Sequence, residues 1–284
     1  MSPIPDFATP SALGEVRAVR AGPISLPGLA RLRRATVAYV DRSAKRHLLP
    51  DEIDVVFLDA GGVLLYPDWG RVSRILAKHG IVATSVQLAE AEFPAKRRMD
   101  DAGFRTTTGD ITEPDGYLGW VVKAAGIDYD HEALHAAARD FQDEHVRANL
   151  WSVMPAEVPP ALRRLRAAGY RLGLISNTED NLRPVLASTG LDAYFESLVL
   201  SSEVGSEKPD PAIFREALRQ MAVSPDRVIF VGDFYSIDVA GARGVGITPI
   251  LLDAKGLSPD RDVARVASLN ELAALLAREP AHRP

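Results

Sequence analysis

Asp59 and Asp233 are the residues to read first for chemistry. Each follows a short apolar, β-branched run: Ile53 to Leu58 before Asp59, and Arg227 to Val231, then Gly232, before Asp233. Ser176-Asn177 ends a third such run, Tyr170 to Ile175. Runs of this kind read as buried parallel strands. In open α/β sheets, ligands bind at the carboxyl ends of the strands. Lys208 stands on the loop between the strand expected at Ser197 to Leu200 and the next helix, so it reaches the same edge. Two carboxylates, a hydroxyl and a lysine gathered there suit phosphoryl transfer. A carboxylate attacks, a hard cation bridges carboxylate and phosphate oxygens, and the lysine offsets developing charge. Taken singly, each residue has a plainer reading. Asp59 is a turn former before Gly61-Gly62, Ser176-Asn177 and Asp233 are helix caps, Lys208 is a surface lysine, and Asp238 belongs to a first helical turn.

The elements that must position these residues alternate strand and helix. Helices are expected at about 156–168, 180–189, 209–221, 236–243 and 268–278, and a fifth strand at Thr248 to Leu252. That alternation predicts an α/β fold, a Rossmann-like parallel sheet with right-handed crossovers. Between about 66 and 155 the pattern changes to amphipathic helices, near 70–80, 84–101, 113–125 and 130–149, with no expected strand. The expected division is a core of 51–65 plus 156–284, a helical cap at 66–155, and a partly disordered N-terminal extension at 1–50. Within that extension, 28–49 shows a loose helical pattern.

Four segments resemble, in order, the four motifs of the haloacid dehalogenase (HAD) superfamily of hydrolases. They are Asp59-Ala60-Gly61-Gly62-Val63-Leu64, Ile175-Ser176-Asn177, Gly205-Ser206-Glu207-Lys208-Pro209-Asp210-Pro211, and the run from Val231-Gly232-Asp233 through Asp238 to Ala242. The resemblance covers about 53–252 and implies a subgroup with a helical cap after the first strand. It implies Asp59 as nucleophile, forming an aspartyl-phosphate, and Mg²⁺ held by Asp59, the Gly61 main-chain carbonyl and Asp233, with Asp238 in support. It implies that Ser176 and Asn177 bind the transferring group and that Lys208 stabilises Asp59 and the phosphoryl oxygens. The expected substrate is a small phosphorylated metabolite.

One position departs from the family's phosphatase pattern. Two residues after the nucleophile such enzymes carry an acid/base aspartate; here stands Gly61, which can transfer no proton. General acid–base catalysis is typically worth about 10²–10⁴-fold. Three readings follow: a phosphatase whose acid/base comes from elsewhere or whose leaving group needs little help; a relative that cleaves carbon–phosphorus or carbon–halogen bonds; or a catalytically weak binding or regulatory protein on the same fold. Asp68, Glu92, Asp100 and Asp101 are conceivable replacements, each more simply a solvated carboxylate. Lys96 is a formal Schiff-base candidate, but beside Arg97-Arg98 it reads as part of a solvated basic helix face. His131 and His135, four apart, have the spacing of a zinc pair, yet only a distant His145 could add to them. Trp69, Trp120 and Trp151 read as packing residues, with a share in lining the pocket open to them.

Composition narrows the class. The 284 residues are 46% hydrophobic and 25% charged, an ordinary globular balance. Cysteine is absent, which excludes disulfides and thiol catalysis. The net charge of −5 is uneven: residues 1–50 hold 8 Lys and Arg against 3 Asp and Glu, the rest 25 against 35. An acidic body argues against nucleic acid as partner. No apolar run suits a membrane helix or a secretory signal. The expectation is a cytoplasmic protein acting on a small molecule, with a homodimer left open.

Overall fold

The computed structural model describes residues 49, 52–103, 116–179 and 181–277. The readings of 1–25 and of 28–48 fall outside the described residues.

The chain enters the sheet through β1 (Val55–Leu58). Its side chains alternate between faces: Val56 and Leu58 join one hydrophobic cluster, Val55 and Phe57 another. After Asp59 come β2 (Tyr66–Pro67), α1 (Trp69–Lys78), α2 (Ser85–Asp101), α3 (Tyr117–Ala124), α4 (His131–Ala148) and β3 (Trp151–Val153). Three of these helices start where the sequence caps them. Asp68 accepts from Arg71 N, Thr84 and Gln87 form a capping box, and Asp130 accepts from the amides of Glu132 and Ala133. Strands β2 and β3 pair antiparallel where the chain leaves the sheet and where it returns. This corrects the expectation of a strand-free insert. Two and three residues are too few to show a period of two.

The sheet resumes with α5 (Val158–Ala167), β4 (Arg171–Ser176), α6 (Leu182–Thr189), β5 (Ser197–Leu200), α7 (Ser201–Val204), α8 (Pro211–Met221) and β6 (Val228–Gly232). A π-helical turn at Tyr235–Val239 leads into α9 (Ala240–Gly244), then β7 (Thr248–Leu252), β8 (Ala264–Val266) and α10 (Leu269–Leu275). The six strands run parallel in the order β5-β4-β1-β6-β7-β8. This is an α/β, Rossmann-like sheet. Strand β8 adds a sixth strand to the five expected. It has only three residues, and Arg265 at its centre breaks the apolar run that marks the others. The helix expected at 236–243 is split, because Asp238 is drawn inward within the π turn.

Hydrophobic residues of the two sheet faces form two clusters. A third gathers Val72, Leu76, Leu88, Met99, Leu118 and Phe141 of α1 to α4, joined by Phe234 and Ile237 from the loop after β6. The inserted helices thus have a core of their own that reaches the end of β6. Among the described residues no helix is long and apolar enough to cross a membrane.

Candidate active site

The order β4-β1-β6 places the C-terminal ends of three strands side by side, and with them Ser176, Asp59 and Asp233. After β1 the chain turns sharply. Asp59 N still donates to Val231 O at 2.9 Å, while the Asp59 carboxylate accepts from Ala60 N at 2.7 Å. Gly62 sits at φ +71, and a Cβ there would fall 2.0 Å from an Asp233 carboxylate oxygen. Only glycine meets both demands. Gly232 is needed for a related reason: its Cβ would lie 2.3 Å from Asp238 Cγ.

Lys208 is the hub. Its Nζ lies 2.9 Å from Asp59 Oδ1 and 2.8 Å from Asp238 Oδ1. Its backbone is fixed by Asn177, whose Oδ1 accepts from Lys208 N at 2.7 Å and whose Nδ2 donates to Lys208 O at 2.9 Å. The other oxygen of Asp238 accepts from the amides of Asp233 and Phe234 at 3.0 and 2.9 Å. Among the described residues, the Ser176 hydroxyl makes one long contact, 3.4 Å to Asn177 O, and it lines the cavity. The structure therefore brings together Asp59, Gly61, Ser176, Asn177, Lys208, Asp233 and Asp238 around one cavity of about 140 Å³.

The electrostatics are those of an under-neutralised buried cluster. Burial pushes Asp59 up to about 6, against the pull of Lys208. Burial likewise pushes Asp233 up to about 7, with Lys96 opposing. For Lys208, burial favours the neutral amine, but Asp238 and Asp59 outweigh it and hold the ammonium above its usual range. Carboxylate oxygens of Asp59, Asp233 and Asp238 lie within 4.8 Å of one another. With Glu92, which touches Lys96, four carboxylates face two ammoniums. When all four carboxylates are ionised, the surplus of two negative charges on hard oxygen donors fits one divalent cation such as Mg²⁺.

Several residues singled out in the sequence take other places. Asp68 caps α1. The Asp100 carboxylate accepts from Tyr235 N, Ser236 N and Ser236 Oγ, at 2.9, 2.9 and 2.6 Å. Asp101 pairs with Arg97 and Arg261. Glu92, 1% exposed, accepts from Tyr117 Oη and Trp69 Nε1. None of these four carboxylates lines the cavity. Lys96 corrects the surface reading most directly. It is buried and its Nζ lies 2.7 Å from Asp233 Oδ2, because α2 turns this side chain inward while Arg97 pairs outward with Asp260.

Two cavity residues have roles that no motif marks. Trp151 lies over Gly61, its Cδ1 and Nε1 each 3.4 Å from where a Cβ would stand. Sequence alone reads Trp151 chiefly as packing, and nothing in it signals this contact. His145 is buried and lines the cavity; its Nδ1 accepts from Leu150 N at 3.1 Å, and burial lowers it to about 4, so it is neutral near pH 7.

Residues 53–246 match the family model of the haloacid dehalogenase-like hydrolases. The chain belongs to that family. Among curated HAD relatives, it is 39% identical over 99 residues to the glyceraldehyde 3-phosphate phosphatase of Methanothermobacter thermautotrophicus, covering 34% of this chain and 44% of that one. It is 34% identical over 131 residues to haloacid dehalogenase-like hydrolase domain-containing protein 3 of Mus musculus, covering 46% and 51%. The chain thus spans about half the length of these two HAD relatives. A solved 2-haloacid dehalogenase from Pseudomonas syringae pv. Tomato DC3000 superposes with a TM-score of 0.50 at 26% identity, over 80% of this chain and 99% of that one.

Proposed function

We propose that this HAD-family chain is a Mg²⁺-dependent phosphatase of small phosphorylated molecules, with Asp59 as nucleophile. The observation that carries this reading is the Asp59–Lys208–Asp238 chain set beside Asp233 at adjoining strand ends. The phosphatase name of a relative 39% identical over the matched segment supports it.

On this reading an Asp59 oxygen attacks phosphorus, the bond to the leaving oxygen breaks, and water then cleaves the aspartyl-phosphate. Lys208 holds Asp59 in place and offsets charge on the phosphoryl oxygens. Ser176 donates its hydroxyl to the transferring group. Asn177 serves by fixing the backbone of Lys208 and by offering its own amide N–H. Asp59, Asp233 and the Gly61 carbonyl hold the cation. Both oxygens of Asp238 are already engaged, so Asp238 supports the cation site by orienting Lys208 and the Asp233 loop. When bound, Mg²⁺ supplies charge neutralisation for attack on a phosphate by a carboxylate.

Gly61 supplies no acid, and the indole of Trp151 covers the space where one would project. The favoured substrates are those whose leaving group departs without help from a carboxylic acid. The helices of 66–155 act as the cap that shapes substrate choice and excludes water.

Phosphate release from a panel of small phosphoesters and acyl phosphates tests the reading. Turnover that needs Mg²⁺ and falls to background in Asp59→Asn is expected. Turnover unchanged in Asp59→Asn contradicts it.

A further inference from the structure

The chemistry above makes no use of Lys96, yet Lys96 is the second ammonium in the cluster. It projects from α2 across the Phe234 ring, with Nζ 5.8 Å from the ring centroid. It ends 2.7 Å from Asp233 Oδ2 and 2.6 Å from Glu92 Oε1. Glu92 is itself fixed by Tyr117 Oη at 2.8 Å and Trp69 Nε1 at 3.3 Å. The helix that carries Lys96 is fastened to the sheet's edge along its length. Asp100 receives the amides of Tyr235 and Ser236, Arg97 meets Asp260, Arg261 meets Asp101, and Lys255 meets Glu90. The ammonium is therefore held at Asp233 by its helix as well as by charge.

Asp233 is also one of the three carboxylates whose oxygens meet within 4.8 Å. A divalent ion and an ammonium on the same carboxylate repel each other at contact distances, where even a protein-like dielectric leaves the interaction strong. Gly62 makes room for this pair: a Cβ there would fall 2.7 Å from Lys96 Nζ and 2.0 Å from Asp233 Oδ2.

We propose that Lys96 weakens divalent-cation binding at Asp233. Its charge opposes a divalent ion on the same carboxylate and so lowers Mg²⁺ affinity. Metal affinity is then set partly by α2, and metal entry is linked to how that helix seats on the sheet edge. The inference rests on the reading of Asp59 and Asp233 as metal ligands. Lys96 acts here through Asp233, as a positioning residue, and metal affinity is the property it moves.

Calorimetric titration of Mg²⁺ into the full chain tests this without reference to turnover. Wild type, Lys96→Met, Lys96→Met with Glu92→Gln, and Asp233→Asn are compared. Lys96→Met is expected to bind Mg²⁺ about tenfold or more tightly than wild type. The double variant removes the Glu92 charge that Lys96 would leave unpaired, so it keeps the test open if the single variant does not fold; its affinity shifts the same way by less. Asp233→Asn loses the binding. If wild type binds Mg²⁺ through Asp233 but the folded Lys96 variants bind equally or more weakly, the role given to Lys96 is overturned and the metal site stands. If neither wild type nor the Lys96 variants bind Mg²⁺, the metal-site reading falls together with it.

Discussion

At the scale of single residues, the cluster turns on two glycines and one lysine. Gly62 and Gly232 are required because any side chain would strike Asp233 or Asp238. Gly61 differs: a Cβ there would touch Trp151 at 3.4 Å, an ordinary contact, but atoms beyond it must push the indole aside. Gly61→Asp is therefore expected to cost about 1–3 kcal/mol of stability through overpacking. Any gain in phosphate release should appear only when Trp151 is also cut to a smaller residue; denaturant unfolding and phosphate assays on both variants check this. Asp59, Ser176, Asn177 and Asp233 were legible in the sequence because each ends or follows an apolar run that reads as a strand; Lys208, on a loop, and Asp238, in a helical turn, stood out by their resemblance to the family motifs. Lys96 was not legible, because nothing in Lys96-Arg97-Arg98 says which side chain of a basic run faces inward. That depends on how α2 docks, which is fixed by Asp100 and Arg97 meeting partners more than a hundred residues away.

At the scale of elements, every strand of the expected core formed, and the short features that did not show in the sequence were β2–β3 and β8. Strands of five or six residues such as β4 and β6 carry enough apolar residues to be read; a three-residue strand with Arg265 at its centre does not. The inserted helices were legible from their caps and period. Their attachment to the sheet edge was not, since it is made by polar side chains without a pattern. Asp100 is the clearest case: it holds two amides and a hydroxyl of the turn that follows Asp233. Asp100→Ala is expected to destabilise the fold by about 1–3 kcal/mol, the cost of leaving such donors unpaired. Hydrogen exchange at the Tyr235 and Ser236 amides should quicken before exchange in β1 does.

At the scale of the whole molecule, the site couples pH, metal and stability. Asp59 and Asp233 hold their protons more tightly in the fold, at about 6 and about 7, than the ordinary carboxyl value of 3.8. The folded state thus binds more protons than the unfolded state between those values. Without metal, these two groups make stability fall as pH rises from about 4 through about 7. His145, lowered to about 4 by burial, acts in the opposite sense and makes the fold lose stability as pH falls below its ordinary 6.5. Comparing melting with and without Mg²⁺ at each pH cancels His145. The Mg²⁺-induced rise in melting temperature is expected to grow from about pH 5 to about pH 8 and then level off. The nucleophilic role of Asp59 is tested most directly by an acid-quenched reaction with a phosphorylated substrate, followed by peptide mass analysis. A phosphoryl group on Asp59 is expected, present in wild type and absent in Asp59→Asn. Turnover with no phosphoryl group on Asp59 at any quench time, or one on another residue, would contradict it.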